Sequence, residues 1–147
     1  MDEANRHQFK FLLVEDDPNY VFLMNEILGD KALVQNVGSL AETMKVANGH
    51  DAVFLDLGLP DSRGIDTFTR VQEQFPKKPI VIVTGDSDEA VAFRAMRGGA
   101  RDYIVKGHDS LERILKTVDD IIDELKREKQ FSHAMRSFDN CLLKLSV

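Results

Sequence analysis

Four short stretches carry side chains that could share one piece of chemistry. They are "LLVEDDP" with Glu15, Asp16 and Asp17, "FLDLGLPDSRG" with Asp56, "VIVTG" with Thr84, and "DYIVKG" with Lys106. Thr84 follows Asp56 by 28 residues and Lys106 follows Thr84 by a further 22. Each polar residue directly ends or follows an apolar run, where a charge is costly to bury without a partner. Carboxylates gathered at one place repel unless a cation sits among them. A hard divalent ion such as Mg²⁺, held by carboxylates, carbonyls and water, meets that need. With a lysine ammonium and a hydroxyl beside it, such a cluster suits a phosphoryl group under in-line attack by an aspartate. A structural acidic edge, with Lys106 paired to Asp16 or Asp56, is the other reading of the same residues.

These residues need elements that bring them to one edge. Apolar runs at 9–14, 32–37, 52–57, 79–84 and 102–106 alternate with helix signals. The first, third and fourth are nearly continuous in apolar residues, as strands covered on both faces are. Asp17-Pro18 predicts a cap and first helical residue for a helix to about Leu28. Ser39/Glu42, Asp86/Glu89 and Asp109/Glu112 have capping-box spacing, and Gly64 opens a segment closed at Pro76. Five βα repeats predict an α/β, doubly wound, five-stranded parallel sheet. In such a sheet all strands end on one edge, where ligands bind at the switch in strand order.

The bulk numbers agree with one soluble domain. The chain has 147 residues, 43% hydrophobic, with 25 acidic against 19 basic residues and a formal charge of −6. That charge argues against a nucleic-acid surface. The single Cys141 suits a reducing, cytoplasmic setting, the first residues form no signal peptide, and no run is long enough to span a membrane. His7, His50, His108 and His133 fall in unrelated segments without metal-ligand spacing.

Taken in order, the four motifs resemble the receiver (CheY-like) domain of two-component response regulators, from about Lys10 to Leu125. The resemblance implies a flavodoxin-like sheet of order 2-1-3-4-5 and a receiver over 8–127. It implies Asp56 as phospho-acceptor and Mg²⁺, replaceable by Mn²⁺, held by Asp16, by Glu15 through water, by Asp56 and by the Gly58 backbone carbonyl. Lys106 and Thr84 would meet the phosphoryl oxygens, with Gly85 leaving the approach open, and Asp17 would cap a helix. Pro60 and Gly64 would shape a rigid loop. Tyr103 is either an inward-turning aromatic switch or a half-exposed strand aromatic. The donor would be a histidine kinase or His-phosphotransfer protein, and the recipient a protein partner or output module. Such a chain is a signalling switch rather than an enzyme, acting on itself alone.

Two departures stand out. Gly107 occupies a position where the family commonly has proline after a cis bond, an expensive geometry before glycine. Gly58, two past the acceptor, has no side chain to shield the acyl phosphate, which leaves Asp86 as the main tuner of its lifetime. A haloacid-dehalogenase-type phosphatase also joins a strand-end Asp to Thr, Lys and Mg²⁺, but it needs a second Asp where Gly58 stands. A non-phosphorylated pseudo-receiver serving as a binding module is the alternative from another class.

Residues 128–147 form an expected C-terminal helical extension: a dimerisation or docking helix, or the start of a truncated output or kinase module. Leu111, Leu115, Val118, Ile122 and Leu125 step 4-3-4-3, as do Phe131, Met135, Phe138, Leu142 and Leu145. The halves are offset by six residues, so either one helix absorbs a stammer or the chain breaks near Gln130 and Ser132 caps a second helix. So short a tail leaves no room for a helix-turn-helix, and no direct DNA or membrane contact is expected. "FSHAMRS" faintly resembles the phospho-accepting box of histidine kinases, which makes His133 a possible phospho-acceptor beside the plainer amphipathic helix.

Overall fold

The computed structural model describes residues 8–145, so His7 and the last two residues of the extension lie outside the described residues. Strand β1 (Lys10–Val14) leads to α1 (Pro18–Gly29), β2 (Leu33–Val37), α2 (Leu40–Met44) and β3 (Ala52–Leu55). A two-residue antiparallel ladder, Gly58–Leu59 with Ser62–Arg63, then precedes α3 (Ile65–Gln74). Strand β4 (Ile80–Thr84), α4 (Glu89–Arg97), β5 (Asp102–Val105) and α5 (Ser110–Leu145) complete the chain. The five main strands form one parallel sheet of order β2-β1-β3-β4-β5, the expected doubly wound topology.

The continuous apolar runs follow from cover on both faces. Alternate residues of β1 enter opposite cores: Phe11 and Leu13 pack with Met24 of α1, Phe54 of β3, and Val118 and Ile121 of α5. Leu12 and Val14 pack with Leu55, with Phe68 and Val71 of α3, and with Ala95 of α4. The period of two thus assigns α1 and α5 to one face and α2, α3 and α4 to the other. Chain connections leave β1 and β3, which are neighbours, in opposite directions, and this is the switch point.

Asp17 caps α1, its Oδ1 accepting from the Asn19 N–H at 3.0 Å with Pro18 in the first turn. Ser39 Oγ accepts from the Glu42 N–H, and Glu42 reaches back to the Gly38 N–H rather than to that of Ser39. The expected Asp86/Glu89 box is displaced. Asp88 is the cap of α4, accepting from Ala90 N, while Asp86 Oδ1 is taken by the N–H of Asp88.

The tail takes the first of its two expected forms, one continuous helix. Helix α5 runs without a break for 36 residues, about 54 Å at the usual rise, so Gln130 is no hinge and Ser132 caps nothing. Its packed stripe is Ile114, Val118, Ile121 and Ile122 with partly buried Leu125, whereas Leu111 and Leu115 are exposed. With both Ile121 and Ile122 packed, the stripe is the wide i, i+4, i+7, i+8, i+11 face of a helix laid against a sheet rather than the narrower 4-3-4-3 seam. Beyond Leu125 every residue to Leu145 is exposed, including Phe131, Met135, Phe138, Leu142 and Leu145. No helix among the described residues is long and apolar enough to cross a membrane.

Candidate functional site

The C-terminal edge gathers the residues singled out from sequence. Glu15 follows β1 and is buried; both of its oxygens are engaged. Oε2 accepts from the N–H groups of Asp16 (3.0 Å) and Asp17 (3.2 Å), and Oε1 accepts from Lys106 Nζ. The tight turn into the Asp17 cap therefore also orients Glu15. Asn36 steadies that turn from β2, donating to the carbonyls of Leu13 and Glu15.

Asp56 follows β3 and is buried. Its Oδ1 accepts from the Gly58 N–H at 2.9 Å and its Oδ2 from Lys106 Nζ at 3.0 Å. Thr84 ends β4, buried, with its hydroxyl against the Asp56 carboxylate and accepting from the Asp86 N–H. Lys106 follows β5 and joins Glu15 to Asp56. The Lys106–Gly107 bond is trans, as are all those described. Asp16 stays exposed at the rim, with carboxylate oxygens of Glu15, Asp16 and Asp56 all within 4.8 Å of one another. An open cleft of about 510 Å³ lies over the group, lined also by Asp17, Gly58, Arg63, Gly85 and Asp86.

The electrostatics separate the two buried carboxylates. Burial pushes Glu15 up and the charge of Asp56 adds to this, so it stands above the usual range despite its bond from Lys106. Burial also works against the Asp56 anion, but the Gly58 N–H, Lys106 and the Thr84 hydroxyl outweigh it and hold that carboxyl below its ordinary value. Burial opposes the Lys106 charge, and its two carboxylate bonds reverse this and raise it. Asp56 is thus held as the anion that a nucleophile must be.

An all-oxygen donor set of clustered carboxylates with a single ammonium among them leaves uncompensated negative charge at an open rim. That donor set fits a hard divalent cation.

Tyr103 is buried rather than half-exposed, and its hydroxyl donates to the Asp86 carbonyl at 2.8 Å. Burial first, then the charges of Asp86, Asp88 and Asp56, raise its phenol to about 12. His133 lies elsewhere. It lines a surface cleft with Phe9 and Asp51, which precede β1 and β3 at the opposite edge of the sheet, together with Arg136. His50 is buried with Nε2 on Gln35, and His108 is exposed.

Three contributors were not foreseen. The two-residue ladder after Asp56 is too short to leave a sequence period. Asp61, at its turn, accepts from the Leu40 (2.8 Å) and Ala41 (2.9 Å) N–H groups and ties the loop after Asp56 to α2. Tyr20 places its ring 4.2 Å beneath the Lys106 ammonium, and its one sequence signal was an aromatic in the first turn of a helix rising from the acidic motif.

The sequence matches the model of the response regulator receiver domain over residues 11–119. It is 32% identical over 109 residues to the alginate biosynthesis transcriptional regulatory protein AlgB of Pseudomonas syringae pv. tomato, covering 72% of this chain and 24% of that protein. To the sensory transduction protein LytR of Staphylococcus haemolyticus it is 29% identical over 130 residues, covering 84% and 49%. The chain therefore spans between a quarter and a half of these regulators. The non-phosphorylated HemR receiver domain of Leptospira biflexa superposes with a TM-score of 0.70 at 28% identity, covering 78% of this chain and 94% of that one.

Proposed function

The chain belongs to the response regulator receiver domain family, and we propose that it is a phospho-accepting member in which Asp56 takes a phosphoryl group from a phosphohistidine donor. The donor is a histidine kinase or a His-phosphotransfer protein, and the phosphorylated state is passed to a downstream protein partner or output module. Membership of this family removes the dehalogenase-type phosphatase. Members are signalling modules, and the only chemistry proposed here is on the chain's own Asp56.

One observation carries the proposal: a buried Asp56 is kept ionised by Gly58, Thr84 and Lys106 at the floor of an open acidic cleft. An Asp56 oxygen attacks phosphorus as the donor's N–P bond breaks, its electron pair staying on the imidazole nitrogen. Asp16, Asp56 and the Gly58 carbonyl would hold Mg²⁺ or Mn²⁺, with Glu15, whose oxygens already serve Lys106 and two backbone N–H groups, acting through water. The bound ion supplies charge neutralisation to the phosphoryl oxygens. Lys106 and the Thr84 hydroxyl orient those oxygens, and Gly85 leaves their path clear. Tyr103 serves as the switch, reporting the position of the Asp86 backbone through its hydroxyl. A side chain at Gly58 would find Asp56 Oδ1 3.7 Å away and room beyond, so nothing there shields the acyl phosphate and Asp86 tunes its loss.

We place the domain in the cytoplasm, without direct nucleic-acid or membrane contact. Residues 128–147 extend it as a dimerisation or docking helix, or as the start of an output or kinase module, and His133 belongs to that helix's exposed face rather than to a second phospho-site. The test is intact mass after incubation with Mg²⁺ and acetyl phosphate, beside Asp56→Asn and a chelated control. One added phosphoryl group, absent in both controls, is expected. No gain with acetyl phosphate or with a panel of phosphorylated kinases would leave a pseudo-receiver that acts by binding alone.

A further inference from the structure

Lys106 has an awkward task. It stands one residue beyond β5, ahead of an exposed Gly107, and its four-carbon stem must cross the end of β4 to reach carboxylates on β3 and β1. Fixing a chain of four rotatable bonds costs considerable rotamer entropy. The ammonium has three donors, and the two carboxylates engage only two of its directions. Beneath it lies the face of Tyr20, at 4.2 Å from Nζ to ring centroid, well within cation–π range.

The ring is itself well anchored. Tyr20 is the third residue of α1, whose start is fixed by the Asp17 cap and Pro18, and it packs against the core formed by Phe11, Leu13 and Met24. Its hydroxyl is buried and has no hydrogen-bond partner among the described residues. A buried hydroxyl left unpaired costs stability, so the hydroxyl does not account for a tyrosine here. The ring face does.

Resting on the phospho-acceptor reading, we propose that Tyr20 is a positioning residue for Lys106, its ring holding the ammonium beside Asp56 from a direction that neither carboxylate occupies. When Asp56 becomes an acyl phosphate, one of the two anionic partners of Lys106 is transformed and Nζ must turn to the new oxygens. The contact with Tyr20 persists through that change and limits how far Nζ moves. The same contact pre-sets Lys106 before the donor arrives.

The test is the initial rate of Asp56 phosphorylation by acetyl phosphate at saturating Mg²⁺ in wild type, Tyr20→Leu and Tyr20→Phe, each also in a Lys106→Ala background. Tyr20→Leu should slow the reaction about tenfold, Tyr20→Phe should rescue it to within about twofold, and in the Lys106→Ala background Tyr20→Leu should cost nothing further. No slowing in Tyr20→Leu, or equal slowing in both backgrounds, overturns the proposal, since a residue that only fills the core would act without Lys106. The NMR shifts of the Lys106 ε-methylene in the unphosphorylated protein give an independent readout. They should lose the ring shift in Tyr20→Leu and keep it in Tyr20→Phe, and shifts equal in all three proteins refute the contact. Absence of phosphorylation in wild type would sink the phospho-acceptor reading, while the methylene shifts would still decide the contact.

Discussion

Replacing Lys106 by alanine tests whether the acidic edge depends on this one cation. The ammonium joins two side chains that are only 3% and 8% exposed, and is itself 20% exposed. Removing it leaves two buried carboxylates side by side, with Asp16 within 4.8 Å. Breaking a buried pair from one side costs about 3–5 kcal/mol. Because the cleft is open, the low end applies, about 3 kcal/mol at pH 7 in EDTA, or about 9 °C in Tm for a chain of this size. The pH dependence has a definite sign. Burial and Asp56 already hold Glu15 above the usual range, and Lys106 works against them, so its loss lets Glu15 rise further. A carboxyl with a raised folded pKa binds protons more tightly folded than unfolded, so stability grows as pH falls through the folded value towards the unfolded value of about 4.3. The deficit of Lys106→Ala against wild type should therefore be greatest at pH 7 and shrink towards pH 5. Millimolar Mg²⁺ should stabilise the variant through the same carboxylates. Urea unfolding followed by circular dichroism at pH 7 and 5, with EDTA or Mg²⁺, reads all three effects. A deficit under about 0.5 kcal/mol at pH 7 in EDTA, the range of ordinary surface changes, or one independent of pH, would refute this electrostatic account.

Asp86→Ala should lengthen the lifetime of the Asp56 phosphoryl group severalfold, measured as loss of the added mass after the donor is removed; an unchanged lifetime rejects Asp86 as tuner. His50 is buried, with Nδ1 lacking a partner among the described residues, and burial first, then Lys10, holds its pKa below the usual value. Its neutral form therefore stabilises the fold fully above an unfolded pKa of about 6.5, and that contribution is lost as pH falls towards the folded value. Urea midpoints between pH 7.5 and 5.5 should fall more steeply in wild type than in His50→Gln, and parallel slopes would contradict this. The exposed stripe of Phe131, Met135, Phe138, Leu142 and Leu145 should support self-association. Phe138→Glu, which places a charge in the stripe, should weaken association by at least about thirtyfold in light scattering against concentration, and a wild type monomeric throughout would remove the dimer.

The sheet and most of the site were legible because both break a local pattern. Apolar runs that end abruptly on Glu15, Asp56, Thr84 or Lys106 signal strands that leave a core at an edge, and the βα alternation orders those edges. What escaped the sequence has two causes, local competition for a cap and contacts distant along the chain. Asp86 lost the cap of α4 to Asp88, two residues closer to the helix, because its own oxygen was spent on the Asp88 N–H. Ser132 fails to cap because nothing stops the helix before it: no Gly or Pro occurs between residues 110 and 145. Asp61 reaches α2 across some twenty residues, and Tyr20 meets Lys106 from 86 residues away in the chain, contacts that no periodicity encodes.

Strand β5 links these findings into one mechanical path. At its C-terminal end stands Lys106 on Asp56, in its middle Tyr103 holds the Asp86 carbonyl, and at its start Asp102 grips α5. Asp102 accepts from Arg113 and from the Thr117 hydroxyl (3.0 Å), and the preceding Arg101 reaches Glu124 at 2.7 Å. A single strand therefore touches Asp56, the loop that carries Asp86, and three turns of the long helix. The expected division at residue 127 falls inside α5, where no break or glycine absorbs a rotation. The 20 residues from 126 to 145 project as a lever about 30 Å long. A tilt of about 10° at its base, within the range of helix and domain rotations that switches use, would carry its tip about 5 Å. On the proposed function, a small change at Asp56 would become large where a partner would meet the helix, an advantage that a hinge near Gln130 would forfeit.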